Sequence, residues 1–68
     1  MKLSARNVIK GRITGVKKGA TTSHVVMTAG GATITASITN EAVAELKLKR
    51  GQSAYAVIKA SDVMVGRD

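Results

Sequence analysis

A chain of 68 residues with no cysteine, one histidine and four acidic residues has room for one domain with a thin core, because a monomer of this size buries only roughly 60% of the surface its unfolded chain exposes. Disulfides are excluded and a metal brace has few ligands to draw on, which leaves association between copies as the device for stabilising so small a fold. Eleven Lys and Arg against four Asp and Glu give a formal net charge of +7, a field that attracts anionic partners without specifying one.

The opening Met1-Lys2-Leu3-Ser4-Ala5-Arg6 has no apolar run behind its lysine, and no stretch reaches the roughly 18 apolar residues that a membrane span needs, so a soluble, cytoplasmic protein is expected. A first strand is predicted from Asn7 to Lys17, with Ile9, Gly11, Ile13 and Gly15 on one face and Val8, Lys10, Arg12, Thr14 and Val16 on the other. Lys17-Lys18-Gly19-Ala20 reads as a turn into a second strand, Thr22 to Ala29, which puts Val25 and Met27 on one side. Gly30-Gly31 supplies the positive φ of a tight hairpin. In the third strand, Thr33 to Ile38, hydroxyl residues alternate with Ile34, Ala36 and Ile38, the pattern of a sheet with one wet face.

Thr39 or Asn40 can cap a short helix running to about Leu46, with Glu41 near the positive end of its dipole and Val43 and Leu46 docking it. After a turn at Lys49-Arg50-Gly51-Gln52, Ser53 to Lys59 forms the fourth strand and Val63 to Val65 a short fifth. Five strands with one small helix between the third and fourth is the element order of an OB-like barrel, so the fold expected for residues 1–68 is an all-β, five-stranded OB-like barrel. No linker, internal repeat or low-complexity segment divides it.

Two strings carry the chemistry: Ser4-Ala5-Arg6-Asn7 near the start and Lys59-Ala60-Ser61 near the end. Each sets a hydroxyl and a permanent cation two positions apart, so in extended backbone both project from the same face. No carboxylate interrupts either string, which suits a ligand that only accepts hydrogen bonds, a small oxyanion.

With these strings in view, the chain resembles the molbindins, small stand-alone Mop domains that bind molybdate and tungstate. The likeness runs through the Ser-Ala-Arg-Asn opening, the Lys-Lys-Gly hairpin, the Gly-Gly turn, the Asn-Glu-Ala-Val-Ala-Glu-Leu helix and the closing Lys-Ala-Ser-Asp-Val-Met-Val, in order, over nearly the whole chain. The resemblance implies a homohexamer, a trimer of dimers, with oxyanions held between subunits. Ser4, Arg6 and Asn7 would approach from one subunit, and Lys59, Ala60 and Ser61 from its neighbour. It also implies a second class of site near a threefold axis, at Lys18, Gly19, Ala20 and Thr21. The bound ligand would be molybdate or tungstate, kept for molybdenum storage and buffering, with no catalytic cofactor. The chain departs from the family pattern in its terminal Gly66-Arg67-Asp68 and its high positive charge.

Other features read more plainly. Lys10 and Arg12 fit a solvated face. His24 has no second histidine, cysteine or nearby carboxylate with which to share a cation, and fits a surface strand position. Met27 and Met64 suit core or interface packing. A basic OB-like module for nucleic acid is the alternative function. Such modules stack bases on aromatic side chains, and this chain has one tyrosine, Tyr55, and no Phe or Trp. An enzyme is the poorest reading, since one histidine and no cysteine leave few candidates for acid–base or nucleophilic chemistry.

Overall fold

A computed structural model describes all residues, 1–68. Its strands are β1 (Asn7–Lys18), β2 (Thr22–Ala29), β3 (Ala32–Thr39) and β4 (Ser53–Ile58), with helix α1 (Asn40–Leu46) between β3 and β4 and a 3-10 turn at Ala60–Asp62. All neighbours are antiparallel in one open sheet of order β3-β2-β1-β4. The architecture is mostly β and OB-like, with four strands where five were expected.

The fifth strand does not form. After Ile58 the chain leaves the ladder through the 3-10 turn, in which Asp62 N–H donates to the Lys59 carbonyl at 2.9 Å and Val63 N–H to that of Ala60 at 3.2 Å. Val63-Met64-Val65 has strand-forming composition, but β-propensity expresses packing against a neighbouring strand, and no strand of this chain pairs with it. Met64 and Val65 are each 94% exposed.

The inward face of the sheet follows the alternation of the strands up to Thr14. Ile13 is opposite Met27, but the next pair is Gly15 with Val26, so Thr14 is the extra residue of a β-bulge. Its hydroxyl donates to the Val26 carbonyl at 3.2 Å. The bulge reverses the predicted faces beyond it: Val16, not Gly15, turns inward, opposite the buried Val25. The core is thin, as chain length dictates. Only Ile13, Ser23, Val25, Met27, Ala29 and Ala56 are buried, and Ile9, Ile34 and Ala54 pack against the edge of that cluster.

Helix α1 starts because the Thr39 hydroxyl accepts the Ala42 N–H at 3.1 Å. It stops at Lys47, whose left-handed backbone (φ 52°) lets the Lys47 and Leu48 N–H groups reach the Ala44 and Val43 carbonyls. Val43 is half-buried and docks the helix as expected. Leu46 does not: it is 64% exposed, at the last turn beside an open groove. Thr39→Ala removes the only side-chain cap of a seven-residue helix. It is expected to cost about 1 kcal/mol, seen as a lower urea midpoint at unchanged m-value.

Candidate functional site

The final rung of the β1–β4 ladder pairs Asn7 with Ile58, and the Asn7 side-chain amide locks it by donating to the Ile58 carbonyl at 3.2 Å. Arg6 and Lys59 are the next residues outward from β1 and β4. The two terminal strings, 51 residues apart in sequence at Asn7 and Ile58, therefore meet at one corner of the sheet within a single chain. Ser4, Arg6, Lys59, Ala60 and Ser61 are exposed there and Asn7 is half-buried. Asn7 spends its amide on the ladder, so it acts as a splint for the corner.

Arg6 and Lys59 lie one step beyond the last paired residues of β1 and β4, and two cations brought to one corner repel unless an anion between them offsets their charge. Ser4 and Ser61 add hydroxyl donors. Ala60 and Ser61 lie in the 3-10 turn, which also holds Asp62, the acidic residue that follows the second string.

The second predicted site, Lys18, Gly19, Ala20 and Thr21, is the exposed connection between β1 and β2. Gly19 N–H donates to the Thr22 carbonyl at 2.8 Å, and a Cβ on Gly19 would lie 2.7 Å from that oxygen, so the tight turn depends on glycine. A cleft of about 200 Å³ opens beside it, lined by Lys17, Lys18, Gly19, Thr22 and His24 and by no apolar residue. Lys17, Thr22 and His24 were not singled out from sequence as ligands. The signal for them is hairpin register: a turn at Gly19–Thr21 sets Lys17 opposite His24.

A groove of about 710 Å³ lies along the inner face of the sheet, lined mostly by hydrocarbon, including Ile34, Ala36, Ile38, Leu48 and Ala54. It offers nothing to a small dianion. On the outer face, Tyr55 stands opposite Lys10 and is the chain's lone aromatic residue, so successive bases have no stacking platform. Arg12 lies on the exposed face as expected, and there its guanidinium donates to the Gly51 carbonyl at 2.7 Å and braces the turn before β4. No group of three or more His, Asp or Glu side chains is placed to hold a metal ion, and no helix is long and apolar enough to cross a membrane.

Fold and site together define a small OB-like β domain with a cationic, hydroxyl-bearing corner suited to anions. The chain belongs to the TOBE domain family, whose model matches residues 3–65. It is 48% identical over 66 residues to molybdenum-pterin-binding protein 1 of Clostridium pasteurianum, covering 96% of this chain and 97% of that one. Its fold is similar to that of a molybdate-binding protein from Sporomusa ovata, with a TM-score of 0.92 and 33% identity over 98% of this chain and 100% of the other. It is also similar to the cytoplasmic molybdate-binding protein ModG, solved with molybdate bound, with a TM-score of 0.87 and 49% identity over 94% of this chain and 46% of that one.

Proposed function

We propose that this chain is a Mop-type domain, residues 1–68, that binds molybdate and tungstate in the cytoplasm for molybdenum storage and buffering, without catalysing a reaction. The observation that carries the reading is the β1–β4 pairing that draws Ser4, Arg6 and Asn7 to the same corner as Lys59, Ala60 and Ser61. Molybdate is a dianion whose four oxygens accept hydrogen bonds and donate none. Arg6 and Lys59 offset its charge, while Ser4, Ser61 and backbone amides set its orientation, with charge-assisted bonds about twice as strong as neutral ones.

The site is shared in a homohexamer, a trimer of dimers, in which two such corners meet, Ser4, Arg6 and Asn7 of one subunit facing Lys59, Ala60 and Ser61 of its neighbour, and further oxyanions bind at the Lys18–Thr21 turn. Support comes from what one chain leaves uncovered: an apolar groove of about 710 Å³ and a C-terminal Val63-Met64-Val65 segment exposed to solvent. Such surfaces mark contacts between proteins. A ligand that binds only the assembled form stabilises it by mass action.

Phosphate at neutral pH keeps a proton that needs an acceptor. A cage of donors leaves it unpaired at about 1–3 kcal/mol, or roughly 5- to 150-fold in affinity. Calorimetric titration at moderate salt is therefore expected to rank molybdate and tungstate above phosphate by a factor in that range, with native mass spectrometry reporting six copies. Equal binding of molybdate, tungstate, sulfate and phosphate would reduce the interaction to charge attraction, and a monomer that binds at full strength would remove the shared site.

A further inference from the structure

We infer that Asn40 and Ser23 are positioning residues that make the turn between β1 and β2 a donor-only cradle for a tetrahedral oxodianion. The inference rests on the oxyanion reading above and concerns what gives the turn its polarity.

A backbone turn ordinarily presents carbonyls as well as N–H groups, and a carbonyl facing an oxyanion repels it. In this turn the carbonyls of Gly19, Ala20, Thr21 and Thr22 are all engaged within the chain. The Asn40 side-chain amide donates to the carbonyls of Gly19, at 3.0 Å, and Ala20, at 3.3 Å. Asn40's own N–H takes the Thr21 carbonyl at 3.0 Å, and the Thr22 carbonyl accepts from Gly19 N–H at 2.8 Å. Against these four occupied acceptors, the N–H groups of Ala20 and Thr21 donate to no acceptor in the chain. Both residues are exposed. Beside them, Lys17, Lys18, Thr22 and His24 line a cleft with no apolar wall.

Ser23 decides which end of the Asn40 side chain faces the turn. An amide set between two carbonyls must offer its nitrogen to them, which leaves Oδ1 for the third partner. That partner is the Ser23 hydroxyl, which donates to Oδ1 at 2.5 Å. Ser23 is 2% exposed and the one buried polar residue. A buried hydroxyl is retained where its hydrogen bond is made. Ser23 is fixed on β2 and Asn40 opens α1, so helix and hairpin are pinned together with the amide nitrogen aimed at the turn. When that nitrogen is lost, the Gly19 and Ala20 carbonyls have no partner and are free to face the anion.

The test follows backbone amide resonances during titration with sodium molybdate, which reads the turn and the corner separately in one sample. In the wild-type protein the Ala20 and Thr21 amides shift on binding, as do those near Arg6 and Lys59. In Asn40→Ala the midpoint at Ala20 and Thr21 rises by about tenfold, the worth of roughly one hydrogen bond, as the Gly19 and Ala20 carbonyls return to the turn, while the midpoint at the corner stays put. Asn40→Asp, which still accepts from Ser23 but cannot donate to the turn, weakens the turn at least as much. Ser23→Ala, smaller than the native residue and uncharged, gives an intermediate loss and carries the test if the Asn40 variants do not fold.

A purely structural role for Asn40 would lower thermal stability and leave both midpoints where they were, which overturns the inference. Turn amides that do not respond in the wild type while the corner does also overturn it, leaving the proposed function intact. Silence at both places defeats the oxyanion reading itself.

Discussion

Gly11→Ala is expected to remove a large share of the protein's stability and lower its urea midpoint sharply. Gly11 sits in the central strand, paired with Ala29 on β2 and Ala54 on β4, and Ala29 pairs in turn with Ala32 on β3. A row of three alanines and one glycine thus crosses all four strands. A Cβ at Gly11 would stand 2.0 Å from the Thr28 carbonyl oxygen, 2.8 Å from the Ala29 Cβ and 2.9 Å from the Ala29 Cα.

None of these atoms can swing aside by changing rotamer, so the strands must part. Overpacking that forces the backbone to shift costs about 1–3 kcal/mol, occasionally more. At roughly 0.05–0.15 kcal/mol per residue, a chain of 68 residues has about 3–10 kcal/mol in all, so such a cost is a large part of it. Gly15 is the control, since a Cβ there meets nothing within 4 Å. Gly15→Ala is expected to keep the wild-type urea midpoint or raise it slightly. Circular dichroism through a urea series distinguishes the two variants, and a Gly11→Ala protein with the wild-type midpoint would show that the β1–β2 approach is looser than described.

The strand segments were legible because their information is local. β2 runs from Thr22 to Ala29 as its alternation indicates, and β1, β3 and β4 end within a residue of their predicted limits. The Gly30 and Gly31 backbones have φ of 59° and 78°, in the region that side chains penalise. What the sequence did not disclose depends on partners distant along the chain. Nothing in Ile13-Thr14-Gly15-Val16 marks Thr14 as a bulge, because the extra residue exists only relative to the register of β2.

Val63-Met64-Val65 has the composition of a strand and lacks a strand to pair with. Leu46 completes the apolar pattern of its helix and is exposed because one chain supplies no surface to cover it. The candidate site divides in the same way. The donor types of the terminal strings are visible in the sequence and their family pattern names them, but their meeting at one corner follows from the β1–β4 register. The tie from Ser23 through Asn40 to the Gly19–Ala20 turn requires side-chain directions on two separate elements, and no local pattern encodes it.

Arg6→Ala and Lys59→Ala are each expected to weaken molybdate binding by about 10- to 150-fold, the loss of one hydrogen bond to a charged group at about 1.5–3 kcal/mol. The double variant should fall below calorimetric detection. Both side chains are exposed, so neither change should alter folding by more than about 0.5 kcal/mol, and unfolding curves check that the loss belongs to the site. Arg6→Lys keeps the charge but gives up the planar fork that can grip two oxygens at once, and it should recover only part of the affinity. The control is Lys10→Ala, which removes the same unit of charge from the outer face of β1, opposite Tyr55, away from the corner. If the corner holds the anion, Lys10→Ala leaves affinity nearly unchanged. Arg6 and Lys59, acting on one bound ion, should then show a coupling above about 0.5 kcal/mol in a double-mutant cycle. If all three single variants weaken binding equally and additively, the ion is responding to the net charge of +7 alone, and the corner assigned to it is wrong.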